Sequence, residues 1–105
     1  MNPDYCIVVT TFADDADGKK IIDALISERL AACVQVFPIQ SHYQWKGKVE
    51  CQDEKLVFIK TKTSLFSEVQ DSILANHTYE TPEIIQLPID GGFPEYLSWI
   101  AAECK

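Results

Sequence analysis

The chain has 105 residues, 47% of them apolar and 24% charged, and its 16 acidic side chains against 9 basic ones give a formal net charge of −7. That length makes one domain. The composition excludes a disordered chain, and no apolar run nears the roughly 18 residues of a membrane span. The sole arginine is Arg29 and the lysines are scattered singly or in pairs, so there is no basic face for nucleic acid, and neither nucleic acid nor membrane is an expected partner.

The start, Met1 to Tyr5, lacks the basic segment and cleavage site of a signal peptide, which sets a cytoplasmic expectation. Tyr5 to Phe12 is a β-branched apolar run of strand length, apolar on both faces as an interior strand should be. The acidic turn Ala13 to Gly18 follows. Asp14 or Asp15 suits an N-cap, and the Asp14, Asp15, Asp17 cluster lacks the alternating ligands and distal Glu of a calcium loop. Ile21, Ile22, Leu25, Ile26 and Leu30 then recur at helical spacing.

Ala31 to Ile39 opens a second strand, where Pro38 marks a bulge or an edge. The strand continues through Tyr43 and Trp45 to a Lys46-Gly47 reversal and returns through Val49 to Leu56-Val57-Phe58-Ile59. Strands usually run about five or six residues, so an arm this long overshoots its own core and calls for a neighbouring subunit. Thr63 or Ser64 can cap the next helix, which carries Leu65, Phe66, Val69, Ile73 and Leu74 and ends near Asn76 as a left-handed C-cap. Ile84 to Ile89 is a last strand. Pro94 opens a last helix, with Tyr96, Leu97, Trp99 and Ile100 as its packing residues. The order β-α-β-β-α-β plus a helix is an α+β, ferredoxin-like (split β-α-β) arrangement: one antiparallel sheet, two helices on one face and a C-terminal helix, over residues 1–105.

Four cysteines, Cys6, Cys33, Cys51 and Cys104, form no Cys-x-x-Cys pair. Cys6 and Cys33 read as small buried hydrophobes, Cys51 and Cys104 as exposed thiols. Both histidines fall in two polar-aromatic segments, Ser41 to Lys48 and His77 to Ile85. In the second, Pro82 holds Thr81 extended, so a turn carrying His77, Glu80 and Glu83 opens into a strand.

Several segments together resemble the CutA divalent-cation tolerance family. They are Glu28-Arg29-Leu30-Ala31-Ala32-Cys33-Val34, Ser41-x-Tyr43-x-Trp45-x-Gly47-Lys48, Lys60-Thr61, His77-x-Tyr79-Glu80-x-Pro82-Glu83-Ile84 and Tyr96-Leu97-x-Trp99-Ile100. The resemblance spans almost the whole chain in order and spacing. It implies a ferredoxin-like protomer in a tight homotrimer, with long hairpins wrapped around neighbours. It also implies a link to copper and other divalent cations and no established enzymatic reaction. Two departures stand out. Thr78 replaces the proline of a His-Pro-Tyr sequence common among members. The copper ligands proposed for some members, a cysteine ending the first strand and two adjacent histidines, are here Thr10 and Asn76-His77.

Two readings of the turn stand side by side. His77, with Glu80 and Glu83, contributes to a weak mixed N/O site for copper(II) or another divalent cation, multiplied by threefold symmetry. Alternatively, His77 bonds to backbone and the two glutamates fix the turn against backbone amides or a neighbouring subunit. His42 reads as packed or at an interface. Tyr43, Trp45, Tyr79 and Trp99 read as interface residues or as platforms for a ligand.

No catalytic residue is expected. An acylphosphatase of this fold needs an arginine and phosphate-cradling amides after its first strand, where this chain has Asp14-Asp15-Ala16-Asp17. No Gly-rich phosphate loop or defensible nucleophile–base pair occurs. The expected function is therefore a cytoplasmic, homotrimeric protein of divalent-cation tolerance that binds or scaffolds, with itself as partner. The alternative is a trimeric small-molecule sensor or signalling adaptor like the PII proteins.

Overall fold

The structure, a computed structural model, describes residues 4–105; the leader expectation for Met1, Asn2 and Pro3 lies outside the described residues. The strands are β1 (Tyr5–Phe12), β2 (Cys33–Trp45), β3 (Lys48–Lys62) and β4 (Ile84–Pro88). The helices are α1 (Asp15–Ser27), α2 (Phe66–Asn76) and α3 (Pro94–Glu103). All strand pairs are antiparallel, in the order β2-β3-β1-β4.

Strand alternation divides the sheet into two unlike faces. Cys6, Val8, Val57 and Ile59 point into a core shared with Ile21 and Leu25 of α1 and Val69 and Ile73 of α2, all with no exposed surface. The helices cover that face and pack on each other. On the opposite face, Val9 pairs with Phe58 on one side and Ile85 on the other. That face exposes Phe37, Tyr43, Trp45, Ile85 and Leu87 by 36–48%.

The arm follows from uninterrupted pairing. Cys33 to Trp45 matches Lys60 to Lys48 residue by residue, with no bulge at Pro38, which faces Lys55. Proline is tolerated because β2 is the sheet edge, as expected. Lys46 and Gly47 both take positive φ (50° and 80°), the two-residue reversal that matches strand twist. The molecule is accordingly elongated, 44 × 27 × 22 Å.

Asp14 caps α1 through a 2.8 Å bond from the Ala16 N–H. Gly18 has no room for a side chain, since a Cβ there would lie 2.4 Å from the Phe12 ring. α1 ends in a Schellman turn: Arg29 N bonds Ile26 O and Leu30 N bonds Leu25 O, with Arg29 left-handed at φ 56°. The Arg29 side chain then donates to the carbonyls of Glu103 (3.0 Å) and Ala102 (2.9 Å), so the only arginine caps α3.

Local expectations change in four places. A 3₁₀ turn, Thr63–Leu65, precedes α2, which starts without a side-chain cap. Asn76 is not left-handed: its amide donates to Ser72 O at 2.8 Å, and the chain leaves the helix at His77 in extended geometry (φ −95°, ψ 146°). Cys104 is 4% exposed rather than open, because the Arg29 clamp holds the end of α3 on β3, with Cys104 Sγ 3.8 Å from Thr61 Oγ1. In α3 only Ile100 is fully buried; Tyr96 and Trp99 stack on each other, centroids 5.6 Å apart, and stay about two-fifths exposed.

Candidate functional site

Between α2 and β4 the chain has no regular structure, and side chains fix its course. His77 Nε2 donates to the carbonyl of Thr11 at 2.7 Å, at the end of β1. His77 Nδ1 accepts the Tyr79 N–H at 3.2 Å. One nitrogen donates and the other accepts, which defines the neutral Nε2–H tautomer. The Thr78 hydroxyl donates to Asp17, a buried carboxylate in the first turn of α1. Asp17 thus holds the turn as well as serving the helix.

Tyr79 carries the turn across to the sheet. Its ring lies on His77 with centroids 4.4 Å apart, and its hydroxyl donates to Glu54 Oε2 of β3 at 2.7 Å. Burial, and next the Glu54 carboxylate, push the Tyr79 phenol well above its ordinary value of 10, so it remains a donor. Glu54 is 8% exposed. It shares with Leu56 and Phe58 the sheet face opposite the helix-covered core. Sequence reasoning passed over Glu54, because nothing local sets it apart within the polar stretch Gln52 to Lys55.

Tyr79 and Glu54 form the floor of a cavity of about 740 Å³ on the open face, between the turn and the base of the arm. Ser41, Tyr43 and Trp45 of β2 line one wall; Thr78, Glu80, Thr81, Pro82 and Glu83 line the other. The Tyr43 hydroxyl donates to Gln52 at 2.8 Å, which fixes its ring against the arm. Partial burial, then the charge of Glu54, raise the Glu83 carboxyl above its ordinary value of 4.5, although much of Glu83 is exposed.

The segments singled out in the sequence therefore converge. Tyr43, Trp45, Tyr79, Glu80 and Glu83 meet at one cavity, which His42 also lines. Trp99 lies apart, on α3, in its stack with Tyr96. His77 stands behind the cavity wall with both nitrogens engaged. Glu80 faces Lys46 of the hairpin tip, 3.7 Å from Nζ. His42 contacts Gln40 (3.3 Å) and Cys51 (3.9 Å) instead of the turn. Thr10 is fully buried with an unpartnered hydroxyl. Among the described residues no three His, Cys, Asp or Glu side chains are grouped to hold a metal ion.

The family model for the CutA1 divalent ion tolerance protein matches residues 6–103. The Divalent-cation tolerance protein CutA of Pectobacterium atrosepticum is 37% identical over 103 residues, 97% of this chain and 94% of that protein. The chloroplastic CutA of Arabidopsis thaliana is 43% identical over 95 residues, 90% of this chain and 52% of that protein. The chain thus spans about half the length of the plant relatives it matches. Among solved structures, CutA1 from Oryza sativa superposes with a TM-score of 0.92 at 40% identity, covering 99% of this chain and 96% of that one. The periplasmic divalent cation tolerance protein CutA of Archaeoglobus fulgidus gives 0.92 at 36% identity, covering 96% and 99%. A match over nearly the whole sequence, together with a superposition over nearly the whole backbone, establishes that the chain belongs to the CutA1 family of divalent ion tolerance proteins.

Proposed function

We propose that this chain acts as a cytoplasmic homotrimer with a ferredoxin-like protomer, serving divalent-cation tolerance by binding and scaffolding rather than by catalysis. The observation that carries this reading is the uncovered sheet face with its protruding arm. Phe37, Tyr43, Trp45, Ile85 and Leu87 stay partly exposed on one surface, and Tyr96 and Trp99 add two more aromatics. Aromatic-rich apolar surface of this kind suits burial against copies of the same chain. The strand order, with α1 and α2 on one face, supports the ferredoxin-like description. Four free cysteines, Cys51 among them exposed, suit a reducing compartment.

For copper(II) or another divalent cation, the donor set supports weak binding. His77 uses both nitrogens within the protein, and Glu80 is paired with Lys46, which leaves Glu54 and Glu83 as oxygen donors. Two carboxylates fall short of the three or four protein ligands of a tight transition-metal site. The cavity itself favours a second reading, the small-molecule sensor, because its volume lies within the range of roughly 300–1,000 Å³ of ligand sites. Light scattering of the purified chain at micromolar concentration tests the assembly. A mass three times that of the chain is expected; a stable monomer overturns the proposal.

A further inference from the structure

The hairpin tip already shows how the cavity treats a positive charge. Lys46 Nζ lies 3.7 Å from Glu80 Oε2 and 5.6 Å from the centroid of the Trp45 ring. An ammonium is held there between a carboxylate and an indole face, a combination that attracts cations through the ring quadrupole. Lys46 serves only the rim. Further in, Glu54 is more than nine-tenths buried; one oxygen takes the Tyr79 hydroxyl, and Oε1 has no protein hydrogen-bond partner among the described residues.

Glu83 and Glu54 both line this cavity. No lysine or arginine lines the cavity among the described residues. Two carboxylates that face one space with no basic side chain among its lining residues favour a positive charge there. A bare metal ion finds only a weak site here, since two carboxylates fall short of a full ligand set and the Tyr43 and Tyr79 hydroxyls are engaged with Gln52 and Glu54. The two carboxylates without a basic partner repel phosphates and carboxylates alike.

We propose that this cavity binds a small organic ammonium ion, its charge against Glu54 and Glu83 and its alkyl groups against Trp45, Tyr43 and Tyr79. This rests on the reading of the cavity as the ligand site of the assembled protein. Shape and charge then act together: the rings accept methyl or methylene groups, and the carboxylates reject the same alkyl chain when it carries a negative charge.

Trp45 is a built-in reporter, and Trp99→Phe removes the other tryptophan. In that background, n-butylammonium and tetramethylammonium are titrated at fixed ionic strength, with n-butyrate, sodium, magnesium and copper(II) chlorides as controls. The organic ammonium ions should give a saturable change in Trp45 fluorescence, confirmed by calorimetry on the wild type. Butyrate should give none. Glu54→Gln/Glu83→Gln, which keeps both shapes, should weaken ammonium binding about tenfold or more; circular dichroism and light scattering on each sample confirm fold and assembly. Equal response to butyrate, no saturation by either ammonium at tens of millimolar, or binding unchanged in the double variant overturns the inference. Tighter binding of copper(II) than of either ammonium at the same carboxylates also overturns it, in favour of a metal site. A trimer that ignores ammonium ions sinks this inference alone, whereas a monomer sinks the proposed function.

Discussion

His77 donates from Nε2 to the Thr11 carbonyl at 2.7 Å, which joins the α2–β4 turn to the far end of β1 across 66 positions of sequence. The bond fixes the tautomer, and the tautomer lets Nδ1 accept the Tyr79 N–H. Thr11 is only 4% exposed, so its carbonyl has poor access to replacement water. His77→Ala should therefore lower the unfolding free energy by about 1–3 kcal/mol, the usual cost of stranding a buried hydrogen-bonding group. Urea denaturation reads this directly, and an unchanged midpoint would show that the imidazole does not hold the turn.

Tyr79→Phe removes the hydrogen bond to Glu54 Oε2 while keeping the ring on His77. Hydrogen bonds to charged groups contribute about 1.5–3 kcal/mol. The loss should approach the lower part of that range because Glu54 faces a cavity that admits water. Glu54→Gln in the Tyr79→Phe background should recover part of it, since an amide costs less to leave unbonded than a carboxylate. A double-mutant cycle without coupling between the two positions would remove the Tyr79–Glu54 bond from the account of stability.

Much of the fold was readable because it depends on local pattern. The apolar run of β1, the helical spacing from Ile21 to Leu25 and the Lys46-Gly47 reversal each name their element without tertiary help. The partners of the turn were not readable. Glu54 lies 25 residues from Tyr79, and Asp17 lies 61 from Thr78, so nothing local marks them as companions. Arg29 stands out in the sequence as the sole arginine but without a visible partner, and its side chain caps a helix more than 70 positions away. Cys104 read as exposed because its burial depends on that clamp. Long-range polar bonds carry no periodicity, and here they decide which side chains meet at the cavity.

The raised carboxyl of Glu83 has a definite pH signature. A group that holds its proton more tightly in the folded state binds more protons folded than unfolded, so stability falls as pH rises through the window above its ordinary 4.5. Below that window both states are protonated and no stability is lost through this group. Glu83→Gln should flatten that part of the stability–pH curve and leave the neutral-pH melting temperature equal or higher. A variant curve parallel to the wild type above pH 4.5 would mean that neither burial nor the Glu54 charge raises the Glu83 carboxyl.

Arg29 carries three duties at one position: the left-handed residue of the α1 terminus, the double donor to Ala102 and Glu103, and an acceptor for Lys105 N at 2.9 Å. Arg29→Gly relieves the positive φ but removes the clamp, whereas Arg29→Lys keeps a charge without the planar fork. If the clamp dominates, both variants lose stability, with Gly the worse despite its easier backbone. The burial of Cys104 gives a second readout: its thiol should react with a maleimide faster in both variants than in the wild type. A more stable Arg29→Gly with Cys104 still protected would show that relief of backbone strain outweighs the clamp.

Trp45 decides between an arm that only lines the cavity and one that also anchors a neighbour. It lies one residue before the hairpin tip, 36% exposed, on the same face as Tyr43 and Phe37. Trp45→Ala should weaken the proposed trimer by about 2 kcal/mol or more, as truncation of a buried interface tryptophan does. Sedimentation velocity over a dilution series should then show dissociation at concentrations where the wild type stays assembled. The single chain should keep its helical circular dichroism, because the residue contributes nothing to the core around Val8 and Ile73. An unaltered mass at every dilution would confine Trp45 to the cavity and move the interface to Ile85, Leu87 and the Tyr96–Trp99 stack. Loss of helical signal without dissociation would show instead that the arm supports its own protomer.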